Sequence, residues 1–342
     1  MKLSMTQMRN RVGPETRRWS RRAWLRLAGL GSLTGGVALT SRGSAAGESD
    51  PVSASAPDHL GNAMGPVGRV STEFFDPTRF LRTWNFSDLG ADERARFYRE
   101  TPQSDGTTLR EYELFAVDRD IEIAPGVFFP AWTYNGQVPG PTIRATAGDH
   151  LRITFVNQGS HPHTLHFHGW HPPGMDGSLP AHQVMPGESY LYEFDAEPFG
   201  LHLYHCHANP LKRHIHKGLY GAFIIDPPSD VLRPPADELV MVLNGFDTNF
   251  DGDNEVYAVN TVAFHYQRHP IEIEQGELVR VYLGNMTEFD VLNSFHLHGN
   301  FFRLYRTGTD LERYEWTDTV MLCQGERAVL EFTYDYPGKY MF

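Results

Sequence analysis

The chain has 342 residues, of which 40% are hydrophobic and 21% charged, and its formal net charge is −12. That composition can build packed cores and excludes an intrinsically disordered chain, and the length leaves room for two domains of ordinary size. The acidic balance excludes nucleic acid and anionic membrane surfaces as partners of the folded part. Aromatic residues (13%), 32 glycines, 23 prolines and short Val/Ile/Tyr/Phe-rich runs point to an all-β protein.

At the N-terminus, SRRAWLR (Ser20 to Arg26) sets two arginines ahead of a weakly apolar run, Leu27 to Leu39. This resembles a twin-arginine export signal, with Ser44-Ala45-Ala46 as a small-residue cleavage site. The apolar run is too short and too glycine-rich to span a bilayer stably. A membrane anchor or a basic nucleic-acid arm is the competing reading of the same segment. Residues 1–46 are therefore expected to be removed on export to the periplasm or cell envelope. They hold nine Lys/Arg and one Glu, so their loss takes the net charge from −12 to −20. Such a protein suits neutral or cationic partners, although solubility alone explains the charge.

Residues 47–107 read as an N-terminal extension without an assigned role, Ser/Pro/Gly-rich at first and then helical in ADERARFYRE (Ala91 to Glu100). From Thr108 the pattern changes to strands and turns. LREYELFAVDRDIEIAPG alternates apolar and polar residues, and PGPTIRATAGDHLRITFVNQ gives two strands around an AGD turn. SYLYEFDAEPFGLHLYHCH gives two more strands, broken at Pro198–Gly200, and GLYGAFIIDPP closes a first domain, 108–227. A Pro/Asp-rich linker covers 228–237. In 238–342 the layout returns: IEIEQGELVRVYLGN parallels IRATAGDHLRITFVNQ, SFHLHGN parallels TLHFHGW, and TYDYPGKYMF parallels DAEPFGLHLYHC. This internal repeat predicts two similar β-sandwich domains in tandem.

The chemistry concentrates in HTLHFHG (His163 to Gly169), YHCHANPLKRHIHKGLYG (Tyr204 to Gly221) and NSFHLHGN (Asn293 to Asn300). Side chains alternate faces along a strand. His166 and His168 then share one face, as do His205 and His207, while His163 and Cys206 have the opposite parity. Each strand can serve two sites. A thiolate with two imidazoles, here His163, Cys206 and His214, is the ligand set of a blue electron-transfer copper. Leu219, five residues after His214, stands where a weak axial Met would sit and cannot coordinate, which favours Cu(I) and a fairly high potential. Three H-x-H pairs (166/168, 205/207, 296/298) fit a cluster of imidazole-bound copper, and Cys206 has a short covalent path to two of its ligands. His161, His171, His182, His202, His216 and His265 read as structural, with His182 and His216 the best candidates for a supporting or proton-handling role. A disulfide between Cys206 and Cys323 is disfavoured by the histidines around Cys206. DTNFDGDNE (Asp247 to Glu255) begins like a calcium loop, but its twelfth position is Ala258, so it reads as an acidic hairpin turn.

On these three motifs, residues 108–342 resemble the two-domain multicopper oxidases, laccase-like relatives of copper nitrite reductase. The resemblance implies two cupredoxin-like Greek-key domains and a homotrimer, with a three-copper cluster where the first domain of one subunit meets the second domain of the next. It implies that His163, Cys206 and His214 hold a type 1 copper with Leu219 axial. His166 and His296 would hold the type 2 copper, and His168, His205, His207 and His298 the type 3 pair. Asn293 stands where a second blue site would need a histidine, and Cys323 is left as a core residue. The family pattern has eight cluster histidines against six here; the missing H-x-H would follow YPGKYMF, so a longer native chain with about four coppers per subunit is expected, the alternative being a protein without a complete type 3 pair. The implied activity is one-electron oxidation of a phenol, aromatic amine or metal ion, with reduction of O2 to water. The alternatives are nitrite reduction, for which the resemblance would want aspartate at position 166 and no ligand at 207, and a non-catalytic blue-copper carrier.

Overall fold

The computed structural model describes residues 75–342, and the export signal and the first part of the extension lie outside the described residues. The first domain is built from β1 (Tyr98–Pro102), β2 (Thr108–Ala124), β3 (Val127–Tyr134), β4 (Ile143–Thr146), β5 (His150–Asn157), β6 (His166–Phe167), β7 (Ser189–Asp195), β8 (Gly200–His205) and β9 (Tyr220–Asp226). One sheet runs β1-β2-β5-β7 with β3 also on β2; the other runs β4-β9-β8-β6. The pairs β2/β5 and β4/β9 are parallel and the rest antiparallel, as Greek-key crossovers between two sheets require. The first sheet takes in β1, ahead of residue 108. The helix in ADERARFYRE stops at Phe97, because Tyr98 pairs with Tyr112 and is drawn into that sheet.

The second domain comprises β10 (Asp237–Phe246), β11 (Val256–Val259), β12 (Val279–Asn285), β13 (Leu292–His296), β14 (Phe302–Arg306), β15 (Glu315–Thr317), β16 (Thr319–Cys323) and β17 (Arg327–Phe332). Its sheets are β11-β10-β12-β17-β14-β15 and β13-β16. Asp247–Glu255 is the acidic connection of the β10/β11 hairpin, with the Asp247 carboxylate accepting the N–H groups of Asp251 and Gly252. IEIE (271–274), expected to pair like IRAT, forms no strand, and neither does any residue after Phe332. Cys323 corrects the sequence reading. On β16, Val320 and Leu322 turn inward, so the period of two leaves Cys323 exposed rather than in the core.

Between the domains lies a continuous apolar core. Ile121, Ile123, Phe129, Leu201, Leu203, Tyr220 and Ile224 of the first pack against Val240, Val242, Phe246, Tyr282, Tyr305 and Val329 of the second. Every residue of β8 is buried because both of its faces are covered: Leu201 and Leu203 face the second domain, Tyr204 and Cys206 the first domain's own core.

The extension, unassigned from sequence, stitches this interface. Phe75 and Phe80 enter the interdomain core, Leu81 the second domain's core, and Phe86 and Phe97 the first domain's. Its backbone bonds both ways: the Val240 N–H donates to Leu81 O (2.8 Å) and the Asn85 N–H to Thr142 O (2.9 Å). Arg82 forms a forked ion pair with Asp237 at 2.7 and 2.9 Å. Leu81 is fully buried, so Leu81→Ala is expected to lower stability by about 2–5 kcal/mol. Urea unfolding of the full chain measures this, and a loss under about 1 kcal/mol would mean that the extension does not belong to the core.

Candidate metal centre

His163 follows β5 through a turn that ends in a single bridge to Val184, Cys206 directly follows β8, and His214 lies on a short helix, Leu211–His216. All three are buried. The Cys206 Sγ lies 3.2 Å from His214 Nδ1 and 3.9 Å from His163 Nδ1, and the two Nδ1 atoms are 3.2 Å apart. A point equidistant from these three atoms is about 2 Å from each, the length of a bond from a first-row metal to imidazole. Shared protons can link these atoms only pairwise, whereas one metal ion engages all three at once. Burial lowers His163 to about 3 and His214 to about 4, so both imidazoles are neutral and ready to bind. Burial pushes the Cys206 thiol up to about 11, so a metal must drive out its proton. The backbone N–H of Thr164 donates to Sγ at 3.3 Å and that of Ala208 also does so, which stabilises a thiolate. Leu219 is fully buried in the same apolar cluster as Cys206; its carbonyl accepts the Cys206 N–H (2.9 Å) and its own N–H donates to His214 O (3.2 Å).

Across β8 the register pairs His166 with His205 and Phe167 with Tyr204. The two aromatic rings stack on the core side at 5.6 Å, and the two imidazoles meet on the opposite side at 5.0 Å. His207 is 5.1 Å from His166, and His168 Nε2 is 3.2 Å from His205 Nε2. His166, His168 and His205 can hold one metal ion with all three ligand atoms within 4.8 Å of one another. Burial lowers all three, His168 to about 3 and His205 to about 4, and keeps them neutral. His166 donates its Nδ1–H to Asp176 O (2.7 Å) and His205 donates to Cys206 O (3.0 Å), which frees each Nε2 for a metal.

His296 and His298 stand apart. Both are exposed at the end of β13, with rings 4.8 Å from each other, and His296 donates its Nδ1–H to Asp318 O (2.9 Å). Among the described residues no group of three or more potential metal ligands includes either of them. One chain thus brings together His163, Cys206, His214 and Leu219, and separately His166, His168, His205 and His207, but not the second-domain pair with the first-domain four.

The combination of these features with the sequence comparisons decides the family. The multicopper oxidase profiles match residues 118–230 and 233–342. A crystal structure of a multicopper oxidase is 52% identical and superposes with a TM-score of 0.72 over 78% of this chain and 90% of that one. The chain belongs to the multicopper oxidase family. It is also similar to a copper nitrite reductase structure from Nitrosomonas europaea, at 26% identity and a TM-score of 0.63 over 68% of this chain and 87% of that one. The copper-containing nitrite reductase of Neisseria gonorrhoeae is 31% identical over 245 residues, 66% of this chain, and the chain spans 61% of that relative's length.

Several residues around this multicopper oxidase site were not singled out by sequence. Asp176 approaches His166 Nδ1 (3.3 Å) and His171 Nε2 (3.6 Å) with one carboxylate oxygen. It is placed there by Gly177, whose φ of +69° suits glycine and whose added Cβ would meet Leu165 O at 2.0 Å. The MDG triplet, Met175 to Gly177, was the available signal. Arg327, from β17 of the second domain, donates to Leu201 O (3.0 Å) and to His168 Nδ1 (3.3 Å), a contact that no local pattern encodes. His216 is structural: it accepts the Asp247 N–H (3.1 Å) and packs on Phe129 and Phe289. His182 accepts the Leu179 N–H within its own turn (3.5 Å).

Proposed function

We propose that the protein is an exported, laccase-like copper oxidase. It takes single electrons from a reducing substrate at a type 1 site formed by His163, Cys206 and His214 and passes them to a site that reduces O2 to water. The observation that carries this reading is Cys206 itself. Its thiol closes a buried triangle with two imidazoles on one face of the chain, while its sequence neighbours His205 and His207 belong to the imidazole group on the other face. Copper bound in such sites supplies one-electron chemistry at the first and multi-electron O2 chemistry at the second.

The protein's own groups prepare both sites. Burial keeps His163 and His214 neutral at the first site, N–H donors cradle the thiolate, and Leu219 offers no axial donor, a combination that supports a high potential. The carbonyls of Asp176 and Cys206 fix ring orientation and tautomer of His166 and His205 at the second site. His296 and His298, exposed and not grouped with the first-domain histidines, suit a site completed by the first domain of another copy, and this supports a homotrimer. The twin-arginine motif supports delivery of the folded protein to the cell envelope. No helix among the described residues is long and apolar enough to cross a membrane. The donor is a small molecule or a metal ion.

Nitrite reduction is the second reading, favoured by the relatives above and opposed by histidine at both position 166 and position 207. A blue-copper carrier is the third. Copper content separates the carrier from either enzyme. The copper-loaded protein is expected to be blue and to hold more than one copper per chain; a single copper per chain with no O2 uptake would contradict the proposal.

A further inference from the structure

The type 1 triangle has no open side. His163 and His214 are 0% and 3% exposed, so a donor cannot touch either ligand ring. The cover is Trp132, itself 5% exposed, whose ring lies 5.3 Å from His163 and 4.8 Å from His214. The half-buried His161 packs on the same indole at 4.4 Å with an interplanar angle of 38°. The guanidinium of the exposed Arg213 sits 5.2 Å from the Trp132 ring centre. The His161 ring is held in place by the Ser160 hydroxyl at Nδ1 (2.8 Å), and Ser160 in turn bonds Asp118.

We propose that electrons enter the type 1 site through Trp132, with the His161–Trp132 stack as the donor's contact surface. This rests on the type 1 reading above. It sets the class of substrate: an outer-sphere one-electron donor, either an aromatic reductant laid against the stack or a metal complex that keeps its own ligands. A donor that must bond to a ligand histidine is excluded. For a phenol, one electron would cross the indole to a Cu(II) held by His163, Cys206 and His214, leaving a phenoxyl radical, and the phenol's proton would go to solvent. Trp132 undergoes no net change. Trp132 and His161 are thus specificity-determining residues rather than ligands.

The test is anaerobic stopped-flow bleaching of the blue absorption in the copper-loaded full chain, with ferrocyanide and 2,6-dimethoxyphenol as donors. The reduction potential and blue spectrum of each variant are recorded alongside. Trp132→Leu is expected to slow bleaching by both donors about tenfold or more, a barrier increase of roughly one decade in rate, and Trp132→Phe by less. His161→Ala is expected to slow the phenol more than ferrocyanide. Bleaching at or above the parental rate in Trp132→Leu and His161→Ala would overturn the proposal, because a mere cover, once removed, exposes the ligands and helps donors. If Trp132→Leu does not take up copper, Trp132→Phe and His161→Ala decide by the same criterion. A parent protein without blue absorption overturns the type 1 reading itself, and that is seen before any variant is compared.

Discussion

Cys206→Ser is expected to abolish the blue absorption completely, to remove one copper per chain and to reduce turnover with any electron donor to background. The hydroxyl is close to the thiol in size, and the Thr164 N–H that donates to Sγ at 3.3 Å can donate to it. A loss of stability of about 1–3 kcal/mol is therefore expected from the changed hydrogen bonding, and the fold should persist. A serine hydroxyl does not ionise in a site that already pushes a thiol up to about 11. The anionic sulfur ligand is what makes a His2Cys site blue. The copper on the other face of β8 should stay, since His166, His168 and His205 are untouched. Absorption and copper analysis of the variant check both halves, and a retained blue band would refute the ligand assignment.

The metal-free protein is expected to unfold in mild acid. His163 and His168 are lowered to about 3, and His202, His205, His214 and His216 to about 4, in each case first by burial. In the unfolded chain these imidazoles take up protons near pH 6.5, which the folded chain refuses until far lower pH. The unfolded state therefore binds more protons between about pH 6.5 and 4. Stability is complete above that window and falls as pH drops through it, by up to about 1.4 kcal/mol per pH unit for each group. Six such groups, even at half that slope, cost about 4 kcal/mol per pH unit against a typical total of 5–15 kcal/mol. Urea melts of metal-free protein from pH 7 to 4.5 test this. Copper loading should move the acid limit downward, because bound metal holds its ligands deprotonated. Stability that is flat to pH 4.5 without metal would contradict the burial of these rings.

Much of the site was legible because the period of a strand is simple. Parity alone separated Cys206 from His205 and His207, and the β6/β8 register places His166 and His205 on one face and Phe167 and Tyr204 on the other. His214 was legible from spacing, since a short helix returns it to the thiol. What could not be read was set by contacts distant in sequence. Arg327 reaches His168 across the domain interface, and Trp132 covers a site whose ligands begin 31 residues later, at His163. The extension was opaque for the same reason. Phe75, Phe80, Leu81 and Phe86 follow no sustained helix or strand period, because each serves a different core. Two residue-level errors have local causes. IEIE has the alternation of a strand, but IRAT pairs with β9, the last strand of the first domain, and among the described residues no strand after Phe332 plays that part for IEIE. Cys323 was placed by elimination, whereas β16 parity turns it outward.

The central claim is that the two faces around Cys206 together make an O2-reducing oxidase on a scaffold shared with nitrite reductases. Supplying the copper-loaded protein with one electron donor and measuring O2 consumption and nitrite reduction side by side tests it most directly. The account predicts O2 uptake with four donor electrons per O2 and negligible nitrite reduction. Nitrite turnover without O2 uptake would contradict it.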